Sequence, residues 1–231
     1  MEHIEGAVFF DGSACLTNDA LPNSMPSAEQ FQEAMRSLGV NNDTHVVVYT
    51  TDALGPAATR LWFTLRLFGH RNCSVLDGGL NAWKAGPRRT TAFAPNTPPR
   101  GNFKAVFQPA LFATYADVMH DVVERNTATL VDARPTADFN SAHVLNSLSV
   151  PFTRVFNEST GCFLHPSQLK QVFQEQNVPF DRTIMTSCNT GMKATIVALA
   201  LTLAGADDVR LYDGSMSEFR QRAPKTALVT K

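Results

Sequence analysis

A single cysteine, Cys188, ends one apolar run and opens another within Ser187-Cys188-Asn189-Thr190-Gly191-Met192-Lys193-Ala194. Ahead of it, Thr183–Thr186 has the make-up of a short buried strand. Behind it, Ala194–Leu203 holds small and apolar residues with neither Gly nor Pro, which predicts a helix. A cysteine at a strand-to-helix turn faces the first helical N–H groups, which lack partners, and the positive end of the helix dipole. That setting favours the thiolate, the nucleophilic form of sulfur. Gly191 permits tight curvature, and Lys193 adds a cation two residues later. A lone cysteine among apolar residues is more often an inert core residue. The rest of the chain decides between the two.

The elements that would carry this turn recur. Asp77-Gly78-Gly79-Leu80-Asn81-Ala82-Trp83 matches Asp213-Gly214-Ser215-Met216-Ser217-Glu218-Phe219 at an offset of 136, residue 213 against residue 77. The same offset lays Cys188–Thr195 on Asp52–Thr59, with Gly191 on Gly55, Ala194 on Ala58 and Thr195 on Thr59. Upstream, His3-Ile4-Glu5-Gly6 pairs with His143-Val144-Leu145-Asn146, and Pro26-Ser27 with Pro166-Ser167. Several matches in one order make the chain a tandem duplication. Each copy reads strand, loop, helix, strand: Thr44–Tyr49, Ala57–Phe68 and Ser74–Leu76 in the first, Thr183–Thr186, Ala194–Ala204 and Val209–Tyr212 in the second. Apolar strands alternating with helices predict an α/β fold with parallel sheets flanked by helices. Leu130-Val131-Asp132 opens the second copy with a further buried strand, and the first copy is shorter at its N-terminus by that strand. Pro87 to Pro109 carries five prolines and few large apolar residues. It is read as a linker over 91–110, between a first domain at 1–90 and a second at 111–231.

Composition narrows the function. With 231 residues, 44% hydrophobic and 18% charged, the chain resembles an ordinary globular protein of one large or two small domains. A net charge of −1 gives no general attraction to nucleic acid or anionic membrane. No apolar run reaches the roughly 20 residues of a membrane span. Cys15, Cys73, Cys162 and Cys188 are scattered without CxxC pairs or His/Cys ligand spacing, which argues against a metal site and for a reducing compartment. No Walker loop or dinucleotide fingerprint occurs, so no cofactor is expected. Met1–Gly6 lacks the features of a signal or transit peptide, making the cytoplasm the expected compartment and the mitochondrion the second choice.

Taken together these motifs resemble the tandem-domain rhodanese family, the thiosulfate and 3-mercaptopyruvate sulfurtransferases. His3-Ile4-Glu5-Gly6-Ala7 is similar to the family's HIPGA segment, Asp77-Gly78-Gly79 with Trp83 to DGG…W, and Asp132-Ala133-Arg134 to DAR. Cys188–Ala194 is similar to the family's active loop, C-x-x-G-x-[TRK]-A. The resemblance implies two rhodanese-like domains of which only the second is catalytic, Asp52 standing in the first where Cys188 stands in the second. It implies that Cys188 takes sulfur from a small-molecule donor as a persulfide. A thiol, a thioredoxin-like protein or cyanide then removes it. The N–H groups from Asn189 to Ala194 (with Thr190, Gly191, Met192 and Lys193 between) would stabilise a persulfide anion as oxyanions are stabilised elsewhere.

The implied donor site departs from the family pattern. Lys193 is read as a donor-binding cation or as a solvated lysine of the first helical turn. Arg134 and Arg154 are read as substrate cations or as structural ion-pair partners. Mercaptopyruvate-using members carry an arginine where this chain has Asp138, and the loop with their second arginine is absent. Thr190, by contrast, is closer to the hydroxyl of mercaptopyruvate enzymes than to the lysine of thiosulfate enzymes. His3 and His143 are read as turn-holding residues, and Trp83 and Phe219 as core anchors. A cysteine phosphatase would need Arg six places after Cys188, and Ala194 is there, so the phosphate clamp is missing. A non-catalytic rhodanese module for binding or sulfur sensing is the remaining alternative.

Overall fold

The computed structural model describes residues 2–12, 24–51, 55–94 and 98–231. Asp52 and Cys15 lie outside the described residues. The chain forms two compact units: residues 2–12, 25–108 and Glu158–Cys162 in one, Pro109–Asn157 and Phe163–Lys231 in the other. Both are α/β.

In the first unit the elements run β1 (His3–Ile4), α1 (Ala28–Ser37), β2 (Val46–Val48), α2 (Pro56–Leu67), β3 (Cys73–Val75), α3 (Gly79–Lys84) and β4 (Thr90–Thr91). Strand β2 pairs in parallel with β3, Val46 opposite Cys73, and β1 pairs antiparallel with β4. Helix α1 starts at a capping box: the Ser27 hydroxyl accepts from the Gln30 N–H, and the Gln30 side chain accepts from the Ser27 N–H. It buries Phe31 and Met35, one turn apart. Phe31 stacks on Phe68 at 5.2 Å and meets Phe103 edge-on at 5.7 Å.

That position of Phe103 corrects the reading of 91–110 as a linker. Phe103 is 1% exposed and belongs to the first unit's core. Its N–H donates to Val40 O, its carbonyl accepts from Arg36 Nε at 2.8 Å, and the N–H groups of Val106 and Gln108 donate to Phe68 O and Leu67 O. Proline-rich composition removes helix and ladder hydrogen bonds without preventing an extended segment from lying down on a core. Tight approach helps: a Cβ at Gly101 would stand 2.1 Å from Val40 O.

The second unit runs β5 (Phe112–Ala113), α4 (Tyr115–Asp117, continuing as a π-helical turn over Val118–Glu124), β6 (Thr129–Asp132), α5 (Thr136–Ser141), β7 (Ala142–Val144), β8 (Leu148–Ser149), α6 (Pro166–Glu175), β9 (Ile184–Ser187), α7 (Ala194–Leu203), β10 (Val209–Tyr212), α8 (Ser215–Arg222) and β11 (Leu228–Thr230). Its main sheet is parallel throughout, in the order β5-β10-β9-β6-β8. All four residues of β6 and of β9 are buried, as expected for strands covered on both faces. Leu130, Met185 and Tyr212 pack with Val118, Val122, Met216 and Phe219 in one core cluster. Helix α7, apolar on nearly every side, packs on β9, β10 and α6. Central strand β9 therefore delivers its C-terminal residue from the most constrained part of the unit. Among the described residues no helix is long and apolar enough to cross a membrane.

Candidate active site

Strand β9 ends at Ser187, and Cys188 begins the loop that turns into α7. The loop is fixed from the opposite side by α8. Ser215 Oγ accepts the N–H of Cys188 at 3.0 Å and the N–H of Gly191 at 3.1 Å, while its own hydrogen is donated to Tyr212 O at 2.9 Å. The N–H groups of Met216 and Ser217 donate in turn to the carbonyls of Cys188 and Asn189. Gly191 turns the loop at φ +78°, where only glycine is unstrained. Cys188 is 2% exposed.

Ser215 was not among the residues singled out from sequence. Its backbone lies in the left-handed region at φ +49°, where a non-glycine residue is strained. The repeat aligns it with Gly79, whose φ is +58°. A serine where the twin has glycine is the signal that could have found it: the strain is tolerated for a hydroxyl that fastens the loop.

The ring of donors expected from Asn189 to Ala194 is thus not complete, because the Gly191 N–H is spent on Ser215. Among the described residues, no acceptor is bonded to the N–H groups of Asn189, Met192, Lys193 and Ala194. Helix α7 begins at Ala194 after Lys193 at its N-cap, so these donors gather at the positive end of its dipole. Unpaired N–H groups at the positive end of a helix favour negative charge near them.

Lys193 is exposed, and its ammonium sits 4.6 Å from the centroid of the Phe152 ring. Phe152 was also missed from sequence. Its N–H donates to Ala133 O, and the Ala133 N–H donates to Ser187 O, so the end of β6 links Phe152 to the residue before Cys188.

Arg134 has a different setting. It is 3% exposed, with Nε 3.0 Å from both carboxylate oxygens of Asp132 and Nη2 2.6 Å from Oδ2 and 2.7 Å from Ala142 O. The guanidinium is committed to the interior of its unit. Arg154 pairs with Glu175 at 2.9 Å, both half-exposed. Asp138 is exposed on the first turn of α5. His143 Nδ1 lies 2.8 Å from Phe139 O with its ring stacked on Phe139, and His3 is on β1 opposite Thr91. Cys162 falls in the first unit, and Cys73 has its thiol pushed up to about 11 by burial. The described residues contain no group of three His, Cys, Asp or Glu side chains suited to a metal.

Comparison with known proteins agrees with this architecture. The rhodanese-like domain model matches residues 1–86 and again 115–222. The chain is 36% identical to thiosulfate sulfurtransferase of Rattus norvegicus over 243 residues, covering 99% of the chain and 81% of that protein. It is 38% identical to 3-mercaptopyruvate sulfurtransferase of Escherichia coli strain K12 over 233 residues, covering 96% and 81%. The crystal structure of SseA from Escherichia coli superposes with a TM-score of 0.84 at 37% identity, covering 94% of this chain and 84% of that one.

Proposed function

The chain belongs to the rhodanese-like family as a sulfurtransferase of the thiosulfate/3-mercaptopyruvate type, and from that premise we propose a persulfide mechanism centred on Cys188. The Cys188 thiolate attacks the outer sulfur of the donor. With thiosulfate, the new S–S bond forms as the old one breaks, and sulfite leaves with the bonding pair. The acceptor, cyanide or a thiolate, then attacks the outer sulfur of the persulfide and restores the thiolate.

The observation that supports this reading is the fastening of the Cys188 loop by Ser215, which leaves the N–H groups of Asn189, Met192, Lys193 and Ala194 without a protein acceptor in the loop that carries the sulfur. Donors fixed before the reaction stabilise the persulfide anion without reorganising. Lys193, held over Phe152, supplies the cation for an anionic donor. Arg134, tied to Asp132 and Ala142, holds the end of β6 and is left out of the donor site. The sequence carries Asp138 where mercaptopyruvate-using members of the family carry an arginine, so thiosulfate is used at least as well as mercaptopyruvate.

The test is steady-state production of thiocyanate from thiosulfate and cyanide, run beside sulfide production from mercaptopyruvate and a thiol. Turnover with both donors, weakly discriminated, is the expected result. A preference for mercaptopyruvate of more than about tenfold, or about 1.4 kcal/mol, would refute the donor assignment. No turnover with either donor would refute the mechanism.

A further inference from the structure

The two copies of the repeat differ together at four positions beside the cysteine loop. At the offset of 136, Tyr212, Ser215, Glu218 and Arg222 of the second copy fall on Leu76, Gly79, Ala82 and Gly86 of the first. The copy that carries Cys188 is polar at all four, and the copy that carries Asp52 is polar at none. Tyr212 ends β10, and the other three lie on α8. Two of the four reach the loop directly: the Tyr212 carbonyl accepts the Ser215 hydroxyl, whose oxygen accepts the N–H groups of Cys188 and Gly191.

The other two brace the turn that presents Ser215. The Glu218 N–H donates to Gly214 O, and its carboxylate folds back along the same turn, so that a Cβ at Gly214 would overlap Glu218 Oε2. An acidic group in this first turn also faces the positive end of the α8 dipole. The Glu218 side chain is only 19% exposed and pairs with Arg222, one turn on. The Arg222 guanidinium in turn lies 4.0 Å from the centroid of the Tyr115 ring on α4. On the inner side, the buried Tyr212 hydroxyl has no hydrogen-bond partner among the described residues. Burial first, and the Glu218 carboxylate second, push its pKa up and keep its proton on. Glu218 thus joins β10, α8 and α4 beside a strained backbone, and a serine at φ +49° persists only where its surroundings over-determine it.

We propose that Glu218 is a positioning residue for sulfur transfer, holding Ser215 where its hydroxyl accepts the Cys188 and Gly191 N–H groups. Without the carboxylate Arg222 loses its partner, the turn over Gly214 opens, and Ser215 relaxes away from both N–H groups. The first copy needs no such brace: Gly79 takes φ +58° without strain and has no hydroxyl to aim. The role in turnover rests on the persulfide reading; the restraint on the loop does not.

Amide hydrogen exchange, resolved by NMR on the whole 231-residue protein, reads the restraint directly. In Glu218→Ala the Cys188 and Gly191 N–H groups should exchange about tenfold faster or more. The Ile184 N–H, bonded to Asp208 O at the far end of the same strand, should keep its rate. Glu218→Gln keeps the shape and hydrogen-bonding reach of the side chain and should stay within about twofold of wild type. Arg222→Met, at a half-exposed position, frees the carboxylate without disturbing the interior and should speed the same two amides about threefold. It gives a reading even where Glu218→Ala does not fold. In thiosulfate–cyanide turnover, Glu218→Ala should lower kcat about tenfold with KM within about twofold. Added to Ser215→Ala it should cost less than about twofold more, because both substitutions withdraw the same hydroxyl. Unchanged exchange at Cys188 and Gly191 in Glu218→Ala and Arg222→Met overturns the proposal. Equal acceleration at Ile184 also overturns it, by making Glu218 a residue of general stability, and so does full additivity with Ser215→Ala in kcat. A wild type without turnover refutes the persulfide reading, and the exchange rates then decide this one.

Discussion

Ser215 holds Cys188 by its backbone: the serine hydroxyl accepts the cysteine N–H at 3.0 Å and, three residues on, the N–H of Gly191. The nucleophile's loop is thereby shaped by a residue from another helix, at a backbone conformation (φ +49°) suited to glycine. The twin position in the first unit is Gly79, at φ +58°.

Replacing Ser215 separates strain from function. Ser215→Ala leaves two buried N–H groups unpaired, a loss of about 1–3 kcal/mol in stability, and should slow thiocyanate formation by roughly tenfold, about 1.4 kcal/mol. Ser215→Gly relieves the backbone but still lacks the hydroxyl. It should recover stability in a denaturant melt over the alanine variant without recovering turnover. Wild-type turnover in Ser215→Gly would show that the hydroxyl is dispensable.

Cys188→Ser should abolish sulfur transfer with the fold intact by circular dichroism, because an alcohol forms no persulfide at neutral pH. Donor treatment of the wild type should add the mass of one sulfur to the Cys188 peptide. Cys73 should stay unlabelled between pH 7 and 9. Burial pushes its thiol up to about 11, so the proton is retained throughout that window. A sulfur adduct on Cys73 or Cys162 with none on Cys188 would move the site.

Lys193→Ala should lower thiosulfate turnover by about tenfold, since the loop loses its only exposed cation. Phe152→Leu keeps the charge but frees it from the ring, an exposed contact of about 0.5–1 kcal/mol. It should raise KM for thiosulfate by roughly two- to fivefold with little change in kcat, and more at low salt than at high. Equal effects on cyanide and thiosulfate kinetics would indicate a structural role for the pair.

Arg134→Met should lower the melting temperature sharply, leaving the Asp132 carboxylate buried without its partner at a cost of about 3–5 kcal/mol. Replacing both, with Asp132→Asn added, should restore part of that loss. KM for either donor should change little in any variant that remains folded. A raised KM with unchanged stability would return Arg134 to the donor site.

Asp138→Arg should improve mercaptopyruvate use while leaving thiosulfate turnover close to wild type. Asp138 is exposed on a short helix, so the exchange perturbs no core contact. A charge-assisted contact to the donor carboxylate is worth about 1.5–3 kcal/mol, or at least tenfold in kcat/KM. No gain for mercaptopyruvate would place its carboxylate elsewhere.

Much of this molecule follows from its sequence alone. The duplication, the parallel α/β class and Cys188 at a strand-to-helix turn are local properties. Each is encoded by apolar runs, by glycine at a turn and by an order of motifs that repeats. The choice of partners is not local. Ser215 fastens Cys188 across 27 positions, Arg134 turns inward to Asp132 instead of outward to a donor, Lys193 settles on Phe152, and Phe103 anchors a proline-rich stretch to a core. An arginine or a serine carries the same letters whether it meets a substrate or a neighbouring backbone. Which of these it meets is settled only when the sheet brings distant strand ends together and buried polar groups must find partners there.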